Sequence, residues 1–293
     1  MNTSSLQIIH TNDYQEALSY TQRGYEPIEC AFGGFGSVLG PLCMDHHGTE
    51  SWREGVAIRA CRDHYGERKT APHFVTTGTA DADAVLAIVA LAGLVPQEDI
   101  PQAFYQLVNA YDLDPIGIEL IEEPFGLELL HFQQTPDMYR NADSFHKGIR
   151  VMHRILTQGL SPQKKAKINK KERNRILLAE QGIVEHSGEQ VLFVSANVWG
   201  FDRWYKKASV VVSYSSRYNS ITMGCPNAQI AEDIFGPGGL MNVFKMLGQG
   251  WGGRASVGGS PRGQKLSLEE AQAVARKVAD FISQLTQTQK EET

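Results

Sequence analysis

The order of apolar and polar residues changes period several times along the chain, and each change marks an element. Residues 6–11 (LQIIHT) form a short apolar run that predicts a buried strand, and helical spacing follows over 13–25 (DYQEALSYTQRGY), closed by Gly24. Residues 27–36 (PIECAFGGFG) and 37–44 (SVLGPLCM) read as extended stretches interrupted by glycines, and 51–65 (SWREGVAIRACRDHY) returns to helical spacing. A strand-like run at 72–79 (PHFVTTGT) leads into 82–95 (ADAVLAIVALAGLV), whose apolar residues predict a buried helix ending near Gly93. An amphipathic helix is predicted over 100–112 (IPQAFYQLVNAYD). Strands and helices alternating in this way predict an α/β fold with a largely parallel sheet.

From about Met138 the character changes. Residues 161–182 (SPQKKAKINKKERNRILLAEQG) are polar and basic, helical by propensity, with little to bury on most faces. This stretch reads as a solvated helix joining two domains, or as a basic ridge that touches nucleic acid. Three β-rich runs come next, at 190–198, 208–216 and 219–224, then a Gly-rich segment and a helix over 267–285. Ser267 with Glu270 three residues on is a capping-box pattern for that helix. The expected organisation is an α/β domain over 1–140, a helical linker over 141–182 and a smaller α+β domain over 183–293, with a cleft between the halves.

A length of 293 residues fits about two domains of roughly 150 residues each. With 42% hydrophobic and 21% charged residues, the chain can bury a sizeable core. A net charge of −5 argues against a protein that coats nucleic acid along its length, while leaving room for a local basic pocket. Cys30, Cys43, Cys61 and Cys225 contain no Cys-x-x-Cys pair and read as reduced thiols. No signal peptide and no membrane-length apolar run is evident, so the expectation is a cytoplasmic protein.

Three polar clusters carry the candidate chemistry: Asp45-His46-His47, Asp81-Ala82-Asp83 and Asp112-Leu113-Asp114. In an open α/β sheet, ligands bind beyond the carboxyl ends of the strands, where three such loops can converge. Oxygen and imidazole donors without thiolate suit Mn²⁺ or Mg²⁺. Two carboxylates on one loop can serve two neighbouring ions, the arrangement that clamps the attacking and leaving oxygens of a phosphoryl group. Each cluster also has an ordinary reading: an Asp before a helix accepts backbone N–H bonds as a cap, and Asp112 and Asp114 before Pro115 make a turn. Gly34-x-Gly36 lacks the continuation of a dinucleotide fingerprint. Trp199, Trp204 and Trp251 either stack a base or pack in the interior.

The run MDHHG (44–48) after an apolar strand resembles the signature of the DHH phosphoesterase superfamily. TGTADADAVLAIVALAG (77–93) resembles that superfamily's Asp-x-Asp motif with its small-residue helix, and GQGWGGRASVGGSPRG (248–263) resembles the Gly-rich loop of the partner domain called DHHA1. In the family the Asp-x-Asp motif precedes Asp-His-His, whereas here it follows, and Thr77 stands where several branches carry a histidine. Either the motifs are permuted, or IIHTNDYQEAL (8–18) is the first motif, with His10 and Asp13 as ligands.

The resemblance implies a hydrolase of phosphoester or phosphoanhydride bonds, dependent on Mn²⁺ or Mg²⁺, with two ions. Its metal ligands would be Asp45, His46, Asp81 and Asp83, with Asp112 as a further or bridging ligand and with His10 and Asp13 where 8–18 is the first motif. His47 would face the substrate phosphate as a hydrogen-bond or proton donor. Substrate would be held by Arg254 and Arg262 among Gly252, Gly253, Gly258 and Gly259, which let backbone approach a ligand. The expected partner is a small nucleotide, a short nucleic acid or a similar phosphate, with no membrane and with a homodimer left open. The alternative is a non-catalytic descendant of the same fold that binds nucleotide or phosphate.

Overall fold

The computed structural model describes residues 6–32, 37–39, 54–61, 73–113, 115–135 and 141–291. The chain divides into two compact units, Met1–Asn169 and Lys170–Thr293.

The first unit is built on a three-stranded parallel sheet in the order β1 (Gln7–His10), β5 (His73–Thr76), β2 (Glu26–Ile28). Its two faces are both covered, as a parallel sheet requires. Ile8 and Phe74, paired across β1 and β5, face the larger core, while Ile9 and Val75 turn to the opposite face with Ala17 of α1 (Tyr14–Gln22). A short antiparallel pair, β3 (Ala31–Phe32) and β4 (Ser37–Val38), follows β2. Asp13 caps α1 by accepting the Glu16 N–H, and the chain leaves α1 through Gly24 at φ +90°.

The larger core surrounds α3 (Ala82–Leu91), every residue of which is buried. That follows from its apolar residues on all sides, which only a helix enclosed by others can satisfy. It packs against α2 (Val56–Arg59), α4 (Gln102–Leu113), α5 (Gly126–Gln133) and α6 (Ala142–Gln158). The helical spacing of 51–65 predicts a longer helix than the single described turn of α2. The region expected to be a linker contributes α6 to this core through Phe145, Ile149, Met152 and Ile155. These residues recur at helical spacing on one face, so the amphipathic stripe makes α6 a member of the first unit rather than a solvated connection. The division between the units falls instead within α7 (Pro162–Gln181).

The second unit carries a six-stranded sheet, β10-β11-β9-β8-β7-β6, formed by β6 (Ile183–Ser187), β7 (Val191–Ser195), β8 (Val210–Ser215), β9 (Ser220–Gly224), β10 (Gly252–Gly253) and β11 (Val257–Gly259). Only β7 and β8 pair in parallel; the connection between them holds α8 (Phe201–Trp204). The helices α9 (Ala228–Phe235), α10 (Leu240–Leu247) and α11 (Leu268–Glu291) contribute to its main core. The capping box forms as expected: Ser267 N–H donates to Glu270 Oε2 (2.7 Å), and Glu270 N–H donates to Ser267 Oγ (3.2 Å). The whole chain is therefore α/β, with a parallel sheet in one unit and a smaller mixed α+β unit after it. No helix among the described residues is long and apolar enough to cross a membrane.

The Gly-rich segment resolves into the β10–β11 hairpin at the sheet edge. Glycine at 258 is a packing requirement: a Cβ there would lie 2.4 Å from the Phe244 ring and 2.4 Å from the Gly252 carbonyl oxygen. At Gly252 nothing stands within 4 Å of the same added atom. Gly258→Ala is expected to destabilise the protein by about 1–3 kcal/mol through overpacking, whereas Gly252→Ala should leave the urea midpoint near that of the parent. Equal midpoints for the two variants would remove packing as the reason for Gly258.

Candidate functional site

The C-terminal edge of the parallel sheet is where loop residues gather. His10, Thr76 and Ile28 lie side by side in register, and the chain continues from each of them past the same edge. His10 donates from Nε2 to the Gly78 carbonyl (3.2 Å), which ties the end of β1 to the loop after β5. Glu29, buried and in the left-handed region at φ +48°, receives the Thr77 hydroxyl on its carbonyl at 2.8 Å. Its side chain lies against Gly78, where any larger residue would collide with the carboxylate. The β5–α3 loop is thus held on two sides before it delivers Asp81.

Asp81 is the N-cap of α3, and its Oδ1 accepts the Ala84 N–H at 3.0 Å. Asp83, in the first turn, is only 1% exposed. Its Oδ2 accepts the Val56 N–H (2.5 Å) and its Oδ1 the Ala57 N–H (3.1 Å), so the carboxylate seats the start of α2. Asp112 stands in the last turn of α4, an end where helix carbonyls disfavour a negative charge. The three carboxylates line one cavity of about 350 Å³, together with Tyr111, Leu129 and Phe132.

Magnitudes explain the electrostatics of this cavity. Removing a carboxylate from water costs several kcal/mol even after relaxation. Two backbone N–H bonds to a charged group return about 1.5–3 kcal/mol each. The nearby negative charges then add to the deficit. Burial first, then Asp112 and Asp81, push the Asp83 carboxyl well above the usual carboxylate range, against the pull of the Ala57 and Val56 N–H groups.

The sequence-predicted residues divide into groups. Asp81, Asp83 and Asp112 are brought together. His10 lies at the same sheet edge but is engaged with Gly78, and Asp13 is an exposed helix cap. Asp45, His46 and His47 lie outside the described residues, as does Asp114. In the second unit, Arg254 and Arg262 are both exposed, and Arg254 N–H donates to the Val257 carbonyl (2.7 Å) to close the hairpin. Trp204 is fully buried and donates from Nε1 to the Ala179 carbonyl (3.0 Å), so it is an interior residue. Trp251 packs against the core of the second unit, and Trp199 is half exposed beneath the Arg175 guanidinium. Within the basic run, Arg175 is committed to Glu172 (2.7 Å) and Asp202 (2.8 Å).

Two residues at this site escaped sequence reading. Gly55 N–H donates to Asn109 Oδ1 (2.5 Å), and a Cβ at Gly55 would lie 2.6 Å from Asp83 Oδ1. Neither has a local motif, because their partners are distant in sequence.

Among the described residues, no group of three or more His, Cys, Asp or Glu side chains is placed to hold a metal ion. Each Asp83 oxygen accepts one backbone N–H, and one Asp81 oxygen caps α3. Asp81 and Asp112 are the other carboxylates on the cavity wall. As hard oxygen donors they fit Mg²⁺ or Mn²⁺ rather than a thiolate-seeking ion.

No family model and no curated protein matches the chain. Among solved structures, a pGpG-specific phosphodiesterase, PggH from Vibrio cholerae, is similar at 10% identity with a TM-score of 0.45, over 95% of this chain and 99% of that one. An uncharacterised protein from Helicobacter pylori G27 is similar at 10% identity with a TM-score of 0.19, over 73% of this chain and 70% of that one. At these TM-scores neither likeness assigns a fold family or an activity to the chain.

Because its folded-state value is raised, Asp83 contributes most to stability when protonated. That contribution is full below the unfolded value of about 3.9 and is lost as pH rises through the raised folded value. Relative to Asp83→Asn, the wild-type protein should therefore gain stability as pH falls from 8 toward 5, both measured by thermal melting without divalent cations. A gap between the two proteins that stays constant across that range would contradict the raised value.

Proposed function

We propose that this chain is a metal-dependent hydrolase of phosphoester or phosphoanhydride bonds in a small nucleotide or short oligonucleotide. The observation that carries this reading is the gathering of Asp81, Asp83 and Asp112 around one cavity, with the Asp83 carboxyl raised by burial and then by Asp112 and Asp81. Neighbouring like charges on one cavity wall favour a bound cation, which turns their repulsion into attraction. A bound Mn²⁺ or Mg²⁺ supplies a water of lowered pKa and offsets charge on the phosphoryl group.

Asp81 and Asp112 are the described residues that would hold it. The resemblance in MDHHG adds Asp45 and His46 as further ligands and His47 as a hydrogen-bond or proton donor to the leaving oxygen. Tyr111 and Phe132 supply aromatic surface on the cavity wall, suited to the face of a base. His10 and Asp13 are assigned to holding the β5–α3 loop and to capping α1. Arg254 and Arg262 are exposed guanidinium groups of the type that meets phosphate bidentately.

The test is Mn²⁺-dependent release of phosphate or nucleotide across a panel of cyclic and linear dinucleotides, short RNA, pyrophosphate and phosphorylated nucleosides. Asp81→Asn keeps a competent helix cap while removing the charge, and should abolish turnover with little change in melting temperature. Asp112→Asn and His46→Ala should do the same. Turnover retained by both Asp variants would sink this assignment. Nucleotide binding with no turnover across the panel would favour the non-catalytic alternative.

A further inference from the structure

The stretch Gly55–Ala57 presents three successive backbone N–H groups, and side chains from two different helices take all three. Asn109 Oδ1, on α4, accepts the Gly55 N–H; Asp83, on α3, accepts those of Val56 and Ala57. Asp83 is two residues after Asp81, and Asn109 is one helical turn before Asp112. The backbone between them is therefore a bridge from the start of α3 to the end of α4, the two places that supply carboxylates to the cavity. Gly55 is required at the bridge because an added Cβ would stand 2.6–2.9 Å from the Asp83 carboxylate.

We propose that Asp83 and Asn109 are positioning residues, which grip Gly55–Ala57 from two sides and so set the spacing between Asp81 and Asp112. This rests on the cation-binding reading above and refines it: Asp83 anchors backbone instead of ligating the ion. The geometry favours the anchoring role. Each Asp83 oxygen gives one of its lone-pair positions to a backbone N–H, 2.5 and 3.1 Å away, and the residue is 1% exposed. Asn109 is neutral, yet it performs the matching task on α4, as expected of a pair chosen for position rather than charge. Replacing side chains that fix the placement of metal ligands typically costs about 10–100-fold in metal affinity.

Mn²⁺ titration of the full-length protein, followed by the loss of the free-ion electron paramagnetic signal, separates the outcomes. Asn109→Ala retains every carboxylate and should weaken Mn²⁺ binding by roughly 10-fold or more, with the number of bound ions unchanged. Asp83→Asn should also weaken binding at constant stoichiometry. Amide hydrogen exchange at Gly55, Val56 and Ala57 should accelerate in both variants. A loss of one bound ion in Asp83→Asn would make Asp83 a ligand and overturn the proposal. So would Mn²⁺ affinity within twofold of wild type in a folded Asn109→Ala protein, which would leave Asn109 a merely structural role. If the wild-type protein binds no Mn²⁺, the cation reading itself fails, and hydrogen exchange then decides the bridge alone. Amides protected in wild type and opened in both variants support it, and equal exchange in all three proteins overturns it.

Discussion

The constraint on which the first unit turns is a buried carboxylate that must find donors. Asp83 lies inside the molecule with Asp81 and Asp112 as neighbours, and water is not available to solvate it. The chain answers by bringing the start of α2 to it, so that two backbone N–H groups do what solvent would have done. That choice has consequences. It fixes where α2 sits on α3, and it forbids a side chain at Gly55. A carboxylate with two backbone partners and a raised pKa is a compromise in which hydrogen bonding recovers part of the desolvation cost and none of the repulsion from its neighbours.

The sheet places this arrangement at a predictable edge. Parallel strands send their loops past the same end, so β5 delivers Asp81 where β1 delivers His10 and β2 delivers Glu29. Asp81 and Asp83 arrive by that route, at the N-cap and in the first turn of α3. Asp112 comes from the far end of a helix, where it works against the helix carbonyls. A charge kept in so unfavourable a place, next to two others, is what separates a candidate site from ordinary capping. In the second unit, Gly253, Gly258 and Gly259 of the hairpin serve close contact with Phe244 or neighbouring backbone, while Arg254 and Arg262 remain in solvent.

Much of the architecture was legible in the sequence because it depends on local periodicity. The strands β1 and β5, the helices α3 and α4, the three central strands of the second unit and the capping box at Ser267 all follow from patterns within a few residues. In the region 141–182 the basic run 161–182 dominates the composition, while the stripe Phe145-Ile149-Met152-Ile155 that joins α6 to the core is spread thinly among polar residues. The pairing of Asp81 with Asp83 was visible as a motif, and its two readings, cap and ligand, could not be separated without the N–H groups that each oxygen meets.

The sequence by itself determined the class of the fold, the enclosed character of α3 and the presence of acidic residues at the ends of elements. These are consequences of period, apolar content and short-range capping. Only the tertiary structure decided that Asp112 faces Asp83, that Gly55 and Asn109 belong to the same cluster, and that Asp83 holds backbone. The physical reason is distance along the chain: the partners of Asp83 are 26 and 27 residues away, and Gly55 is 54 residues from Asn109. No periodic pattern reaches across such separations, and the contacts exist only once the helices have packed.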